Sequence, residues 1–310
     1  MNYITLGRTG LKVSVAGLGC GGPSRLGMRD GASEEQCAGI IRSAFDLGVN
    51  FLDTAEVYGT EGVVGRALKD IPRDKVVVST KKKFPLDDPK DSAGETRRSI
   101  EQSLRLMGTD YIDVYHVHGV EPQEYDFAVK NVLPVLVKLR EEGKIRFIAV
   151  SEAFGEDMTH KMLARGVPEN YWDVIMVGFN ILNQSAGRAV FPQTIAADVG
   201  TLVMFAVRKA FSNPKRLREV CAELKQKKLI DYDGDDPLAF AVGPGKASSF
   251  VDAAYRFCRH QPGAHVILTG TGSPEHLKQN IESINKPPLS EDVVGRLREM
   301  FKRVDSVTGN

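Results

Sequence analysis

A short apolar run and a carboxylate open the sequence Asn-Phe-Leu-Asp-Thr-Ala-Glu-Val-Tyr-Gly, which occupies residues 50–59. The run is typical of a buried strand that ends at Asp53, and the residues after it form a loop that carries Tyr58. A carboxylate at the end of a buried strand and a phenol just beyond it can both point into one pocket. We therefore predict that Tyr58 is a proton donor and that other functional groups converge on it.

Strands of this kind alternate with helices along the chain, with a period of a few tens of residues. Helical crossovers between buried strands imply parallel pairing, and eight such strands predict a closed α/β fold, the (β/α)8 TIM barrel. An N-terminal β-hairpin precedes the predicted barrel, and an extra C-terminal helix near 290–304 follows it. The hairpin strands are expected at 3–6 and 12–15, and the barrel strands at 15–19, 51–53, 76–80, 111–115, 144–150, 174–178, 201–205 and 265–268. The helices between them are expected at 33–47, 61–68, 92–107, 126–142, 156–165, 187–198, 214–227, 248–259 and 274–284.

An open, doubly wound sheet is the structural alternative to a barrel. The glycine-rich turn at 17–22 argues against it, because this turn does not lead directly into a capped helix as a dinucleotide-binding fingerprint does. One barrel domain can use the entire length, so residues 1–310 are predicted to form a single domain. Residues 228–247, which are rich in Asp, Gly and Pro, are predicted to be a loop insertion.

The charge balance gives no reason to expect nucleic acid or a membrane as a partner, since 41 Lys and Arg face 40 Asp and Glu. The four cysteines lie far apart without metal-site or redox spacing, and they are predicted to be reduced thiols of a cytoplasmic protein. No run of about 18 apolar residues is present, so no membrane span is expected. The expected partner is a small molecule.

Polar residues fall at or just beyond the ends of four successive predicted strands. Asp53 ends the second strand, Lys81 the third, His118 the fourth and Ser151 the fifth. A parallel barrel presents the carboxyl ends of all its strands at one face, which is where barrel active sites form. These groups are therefore expected to surround one mouth, with Tyr58 on the loop above the second strand.

The residue types in this set suit acid–base chemistry. Tyrosine has an ordinary pKa of about 10, and a lysine ammonium beside the phenol favours the phenolate, so Lys81 is expected to lower the pKa of Tyr58 toward the working range. Asp53 would keep Lys81 charged and fixed. A neutral His118 could orient a carbonyl oxygen by hydrogen bonding. The set is suited to protonating an oxygen while a hydride arrives at the carbon.

Several longer motifs resemble those of the aldo-keto reductases, and the resemblance covers nearly the whole chain. It implies a barrel that binds NADPH in an extended form without a Rossmann domain. It also implies interconversion of aldehydes or ketones and alcohols, with Tyr58 as the general acid or base. Lys81 and Asp53 would then tune the tyrosine, and His118 would position the carbonyl. The motifs that carry the resemblance are Leu6–Ser14, Gly48–Gly59, Val76–Lys81, Asp110–His118, Gly143–Ser151 and Thr271–Asn280.

Three positions on the cofactor side depart from the family pattern. Glu152 stands where the family usually has an Asn that holds the nicotinamide amide, and Met176 replaces a common Gln. Residues 206–209, Ala-Val-Arg-Lys, replace the usual aromatic-Ser-Pro-Leu. Because the acid–base set is intact, we expect the cofactor to bind with a changed geometry.

The last strand-to-helix turn matches the family better. Residues 271–273, Thr-Gly-Ser, start a helix whose first amides can bind phosphate. By resemblance, Ser273 and His276 lie near the adenosine 2′-phosphate, and Gln279 and Asn280 lie near the adenine.

The cofactor preference rests on charge near that phosphate. His276 stands where the family often has a basic residue, and a histidine binds phosphate less strongly than arginine does. NADP is therefore the preferred cofactor and NAD is possible, and Arg208 or Lys209 could supply the missing charge. The implied cofactor contacts are Gly22, Ser151, Glu152, Met176, Arg208, Gly270, Thr271, Gly272, Ser273, His276, Gln279 and Asn280.

Two other functions stay open. His116 and His118 share one face of a strand, which also suggests a metal-dependent barrel hydrolase. A hydrolase needs further ligands, and the other histidines do not fall on the neighbouring strand ends, so no metal is expected. The altered cofactor positions also allow a non-catalytic regulatory subunit that keeps a bound nicotinamide, as some relatives of the family do.

Overall fold

The computed structural model describes residues 1–84 and 89–310. The strands are β1 Tyr3–Thr5, β2 Lys12–Ser14, β3 Ala16–Gly19, β4 Phe51–Asp53, β5 Val77–Lys82, β6 Ile112–Val120, β7 Ile145–Glu152, β8 Val174–Gly178, β9 Gly200–Met204 and β10 Val266–Thr269. The last eight form a closed parallel barrel in the order β10-β3-β4-β5-β6-β7-β8-β9, and β1 and β2 form an antiparallel hairpin. The predicted (β/α)8 barrel with an N-terminal hairpin is therefore confirmed.

Helices cover the outside of the barrel and follow the strands in alternation. No helix within the described ranges is long and apolar enough to cross a membrane. The last helix packs after the eighth strand-helix unit, as predicted. The helices are α1 Glu34–Asp46, α2 Glu61–Ala67, α3 Pro89–Met107, α4 Tyr125–Phe127, α5 Leu133–Glu141, α6 Lys161–Gly166, α7 Ala186–Ala189, α8 Phe191–Ala196, α9 Lys209–Ser212, α10 Pro214–Gln226, α11 Phe250–Arg259, α12 Pro274–Asn285 and α13 Glu291–Phe301.

Three predicted helices differ from the structure for local reasons. The helix expected at 126–142 is divided into α4 and α5 by a π-helical turn at Ala128–Val132. The helix expected at 156–165 begins only at Lys161, because His160 takes a left-handed backbone conformation with φ 63°. The helix expected at 187–198 is two short helices, α7 and α8, which meet at Val190. Pro192 lies two residues after Val190. Proline has no backbone N–H to donate, so one continuous helix cannot form here.

The inward-facing side chains of the strands build the interior of the barrel in layers. The lower layer is apolar, and Leu6, Leu11 and Val13 of the hairpin region belong to the same cluster. Side chains alternate between the two faces of a strand, so residues two and four positions beyond this layer also face the interior. The apolar strand residues are Phe51, Val77, Val114, Ala149, Val174, Met176, Leu202 and Val266, and the polar ones beyond them are Asp53, Ser79, Lys81, His116, His118 and Ser151.

Candidate active site

Lys81 and Asp53 form a buried ion pair at the carboxyl ends of β5 and β4. Lys81 Nζ donates to Asp53 Oδ2 over 2.7 Å and to the carbonyl oxygen of Thr54 over 2.8 Å. Burial acts to lower the pKa of Lys81, but the charges of Asp53 and Tyr58 outweigh it and raise the pKa above its ordinary value. An ammonium has three N–H donors, so one remains for a further acceptor. Lys81 is therefore a fixed cation, and a hydrogen bond to the Tyr58 hydroxyl accounts for its third donor.

Tyr58 lies beside this cation at the end of a short 3-10 turn, Glu56–Tyr58. Lys81 Nζ is 5.1 Å from the centroid of the tyrosine ring. Burial raises the pKa of Tyr58 above its ordinary value, and the Lys81 ammonium acts against that rise. The predicted net lowering of this pKa is wrong, because desolvation of the phenolate outweighs the attraction of Lys81. Tyr58 therefore keeps its proton at neutral pH, which suits a proton donor.

Three residues that the sequence analysis did not single out fix the loop of Tyr58: Glu56, Lys82 and Ser99. Lys82 Nζ donates to Glu56 Oε1 over 2.5 Å, and Ser99 Oγ donates to Glu56 Oε2 over 2.7 Å. On the other side, the Tyr58 ring packs directly against the backbone of Gly21. Glu56 belongs to the motif at residues 50–59, and its place two residues before Tyr58 was the signal that could have found it.

His118 faces Tyr58 from β6. The two ring centroids are 5.9 Å apart and the ring planes meet at 88°. Burial lowers the pKa of His118 to about 3, and the charges of Lys81 and Lys83 act in the same direction. The imidazole is therefore neutral in the working pH range and can orient an oxygen without carrying a charge.

Acidification is expected to destabilise the fold through His116 and His118. Burial lowers the pKa of both in the folded protein, whereas the unfolded chain regains a value of about 6.5. Above that pH neither state gains a proton; below it only the unfolded state does. The free energy of unfolding should thus fall by about 1.4 kcal/mol per histidine per pH unit.

Urea unfolding of the wild type and of His118→Gln at about pH 7 and about pH 5 measures this effect. Between these pH values the free energy of unfolding should fall by about 2 kcal/mol less in the variant than in the wild type. A variant with the same pH dependence as the wild type would contradict a buried, neutral His118.

Ser151 and Glu152 point to opposite sides of β7. Ser151 Oγ accepts a hydrogen bond from the Gly119 amide over 2.8 Å. The buried carboxylate of Glu152 is hydrogen-bonded to His160 Nδ1 at 2.9 Å and to the Gly178 amide at 2.7 Å. Burial raises the pKa of Glu152, and His160 opposes that rise. A nicotinamide amide would have to compete with these partners, so a cofactor contact by Glu152 stays a prediction.

Two further predicted cofactor residues lie on β8 and after β9. Met176 is buried in the apolar layer of the barrel interior. The guanidinium of Arg208 lies over the ring of Phe205, 4.0 Å from its centroid, and burial lowers the pKa of Arg208. Arg208 is therefore engaged with an aromatic ring at the carboxyl end of β9.

Phe205 itself was missed by the sequence analysis. It takes a left-handed backbone conformation with φ 67°, which is rare for a bulky side chain. Its half-buried ring stacks on Phe154 with centroids 6.0 Å apart. Backbone strain of this kind clusters at functional sites. The signal that could have found Phe205 was an aromatic side chain directly before residues 206–209, which depart from the family pattern.

The turn between β10 and α12 packs tightly against the loop after β3. A Cβ on Gly272 would lie 2.6 Å from the Cα of Gly27, and a Cβ on Gly270 would lie 2.8 Å from the carbonyl oxygen of Gly19. Only glycine allows these approaches. The predicted contact Gly22 is exposed in the same loop, with φ 75°.

Ser273 caps α12, because its Oγ accepts a hydrogen bond from the His276 amide over 3.3 Å. Thr271 Oγ1 in turn accepts from the Ser273 amide over 3.1 Å. The positive end of the helix dipole therefore points out of a shaped turn, as phosphate binding requires. His276 and Gln279 are exposed, and Asn280 Nδ2 donates to Thr269 Oγ1 over 2.9 Å.

The metal-hydrolase alternative finds no further ligands. His116 Nε2 is hydrogen-bonded to Ser79 Oγ at 3.2 Å. In the part of the chain that the structure describes, no group of three or more His, Cys, Asp or Glu side chains could hold a metal ion.

Comparison with known proteins identifies the family of the chain. The model of the aldo/keto reductase family matches residues 18–302. L-galactose dehydrogenase from Arabidopsis thaliana is 38% identical over 316 residues, which cover 98% of this chain and 95% of that protein. The match to an oxidoreductase family gives no support to a hydrolase.

Solved structures show the same fold at lower identity. The thermostable aldo-keto reductase Tm1743, solved with the inhibitor epalrestat, is 23% identical with a TM-score of 0.72, and the match covers 96% of this chain and 99% of that one. Aldo-keto reductase AKR11C1 from Bacillus halodurans in its holo form is 22% identical with a TM-score of 0.70, over 99% and 98% of the two chains. At these identities the likeness concerns the fold, whereas the family model and the Arabidopsis relative span the chain at the level of sequence. The protein is therefore an oxidoreductase that belongs to the aldo/keto reductase family.

Proposed function

We propose that the protein interconverts aldehydes or ketones and alcohols with a nicotinamide cofactor, and that Tyr58 is its general acid or base. The observation that carries the proposal is the buried Lys81–Asp53 pair beside a protonated, half-buried Tyr58. A buried lysine and its carboxylate partner next to a phenol are costly to maintain without a function, because both charged groups are removed from water.

The proton moves at the Tyr58 hydroxyl. In reduction, this hydroxyl donates a hydrogen bond to the carbonyl oxygen and then transfers its proton to it. The phenolate left behind is stabilised by the Lys81 ammonium, which Asp53 and the Thr54 carbonyl hold in place. The attraction is stronger in a buried site than in water. Neutral His118 donates a second hydrogen bond to the same oxygen, and in alcohol oxidation the phenolate takes the proton back.

The residues present fit a nicotinamide cofactor, which would supply or accept the hydride. The capped N-terminus of α12 offers amides and a positive dipole end to a phosphate. Gly270 and Gly272 let this turn pack directly against the backbone of Gly27 and Gly19, which fixes its shape. We propose that NADPH is preferred and that His276 lies near its 2′-phosphate.

A hydroxyl-rich substrate is the class that we propose first, as for an alcohol or sugar dehydrogenase. The 38% identical relative carries the name L-galactose dehydrogenase, which points to the same class.

Titration of the protein with NADPH and with NADH, followed by fluorescence, tests the cofactor proposal. We expect saturable binding of both, with NADPH bound more tightly. His276→Arg should tighten NADPH about tenfold, because a bidentate guanidinium replaces an imidazole, and should leave NADH unchanged. Absence of binding would end the proposal. Binding without oxidation of either cofactor by any carbonyl substrate would favour the regulatory subunit instead.

Gly21→Ala is expected to lower kcat/KM about tenfold or more, since small displacements of a catalytic group are costly. The new Cβ would lie 2.4 Å from Cε2 of Tyr58, so the ring must move. Gly39→Ala in α1 is the matched control, because its Cβ meets nothing within 4 Å. Steady-state kinetics on both variants decide, and equal activity would show that Tyr58 is not held against Gly21.

We also propose that residues 1–310 form a single domain that works in the cytoplasm. One hydrophobic cluster contains residues from Val15 to Val304, which supports a single core. Cys20, Cys37, Cys221 and Cys258 are all free and buried, as suits a reducing compartment.

A further inference from the structure

A second polar pair lies in the barrel interior beside the Lys81–Asp53 pair. Ser79 Oγ donates to Asp53 Oδ1 over 2.8 Å, and His116 Nε2 is hydrogen-bonded to Ser79 Oγ at 3.2 Å. The strand register makes this arrangement: Asp53 is the partner of Ser79 across β4 and β5, and Lys81 is the partner of His116 across β5 and β6. Ser79 and His116 are both fully buried.

The direction of each hydrogen bond follows from the chemistry of the groups. A carboxylate only accepts hydrogen bonds, so the single O–H of Ser79 is used on Asp53. The Ser79 oxygen must then accept from His116, which fixes the Nε2–H tautomer of the imidazole. Burial lowers the pKa of His116 well below its ordinary value, with Lys81 acting in the same direction, so the ring is neutral.

The other ring nitrogen shows that His116 is not simply a packed core residue. Within the described residues, His116 Nδ1 is buried and has no hydrogen bond of acceptable geometry. A buried, unpaired polar atom costs about 1–3 kcal/mol, and an apolar side chain in the same place would avoid that cost. The imidazole therefore needs a compensating role. Its side-chain hydrogen bond goes to Ser79, and the Val150 backbone acts on the same ring only enough to oppose part of the fall in its pKa.

We propose that His116 is a positioning residue that acts through Ser79 to hold the Asp53 carboxylate for Lys81 and Tyr58. The His116 N–H polarises the Ser79 hydroxyl and strengthens its hydrogen bond to Asp53, as hydrogen bonds in chains do. Asp53 is then bound at both oxygens, by Ser79 at Oδ1 and by Lys81 at Oδ2. The hydrogen bond from Ser79 stabilises part of the negative charge of Asp53. Asp53 then offsets less of the positive potential that Lys81 produces at the Tyr58 phenolate.

The groups that act on Tyr58 set the sign of the expected effect. Lys81 lowers its pKa, and Asp53 and Cys20 raise it. His118 meets it edge to face. Weakening the Ser79 hydrogen bond exposes more of the Asp53 charge, so loss of the His116 donor must raise the pKa of Tyr58.

The test measures the titration of Tyr58 directly, by NMR of protein containing isotope-labelled tyrosine, with the signal assigned from Tyr58→Phe. His116→Leu should move the midpoint upward by about 0.3 pH unit, and Ser79→Ala by roughly one unit. His116→Gln should stay near the wild type, because its amide N–H can replace the imidazole donor. In the Ser79→Ala background, His116→Leu should have no additional effect.

His265→Leu is the matched control for a lost histidine, since the imidazole of His265 bonds to backbone groups before β10, the Thr201 amide and Gly263. A packing role alone would lower the thermal midpoint of His116→Leu without moving the Tyr58 titration. The proposal is overturned if the His116→Leu midpoint equals that of the wild type, or if His116→Gln shifts as far as His116→Leu. If His116→Leu does not fold, an unmoved midpoint in Ser79→Ala is equally decisive.

The inference rests on the proposed role of Tyr58, but its test does not require turnover. Failure of the proposed function would appear as a wild-type protein that oxidises no NADPH with any carbonyl substrate. Failure of the His116 proposal would appear only in the titration of Tyr58.

Discussion

Tyr58→Phe is expected to lower kcat for carbonyl reduction by about 10³-fold, within the range for loss of a general acid. The change removes only the hydroxyl oxygen. The ring still fills the space between Gly21 and His118, and Lys81 keeps its bonds to Asp53 and Thr54. The affinity for NADPH should therefore be nearly unchanged. Stopped-flow and steady-state measurements of NADPH oxidation, with cofactor binding measured in parallel, separate these two quantities.

Tyr115→Phe is the matched control for this experiment. Tyr115 is also buried, and its hydroxyl lies 3.1 Å from Ser99 Oγ, on the helix side of β6. Loss of that hydroxyl should cost about 1 kcal/mol of stability and little activity. If Tyr58→Phe retains turnover close to that of Tyr115→Phe, another group donates the proton and the mechanism proposed for Tyr58 is wrong.

The position of the candidate catalytic set could be predicted because it depends on strand register. Parallel strands in a barrel bring their carboxyl ends to one face, so residues that end successive strands meet without any knowledge of the packing. Asp53 and Lys81 were placed by this rule, and the structure joins them at 2.7 Å. The hairpin and the closed barrel follow from the same periodicity of apolar strands and helices.

Other features depend on tertiary contacts that no local pattern records. The net rise in the pKa of Tyr58 results from burial, which the sequence does not quantify. The sequence identified Glu152 as a departure from the family pattern on the cofactor side. In the structure its carboxylate is hydrogen-bonded to His160, which lies eight residues later in a loop. Phe205 has a left-handed backbone conformation although it is not a glycine, so its residue type could not predict that conformation. These are the places where packing, rather than periodicity, decides the geometry.

Lys81→Met is expected to reduce turnover by roughly 10²-fold or more, because the phenolate that forms at Tyr58 loses its cation. The variant should still bind NADPH, since none of the predicted cofactor contacts is removed. It should also lose stability. Asp53 would be left as a buried carboxylate without its counter-ion, and breaking a buried pair from one side costs about 3–5 kcal/mol. Urea unfolding and NADPH oxidation on the same preparations measure both effects.

A second substitution separates the two consequences. In Lys81→Met/Asp53→Asn the unpaired charge is gone, so most of the lost stability should return, because it came from the isolated carboxylate. Turnover should not return, because the cation beside Tyr58 is still absent. Lys144→Met is the surface control: its ion pairs with Glu101 and Glu142 are exposed to solvent, so their loss should change stability far less than the loss of the buried Lys81–Asp53 pair. Recovery of both stability and turnover in the double variant would show that Lys81 neutralises Asp53 and has no direct part in the chemistry of Tyr58.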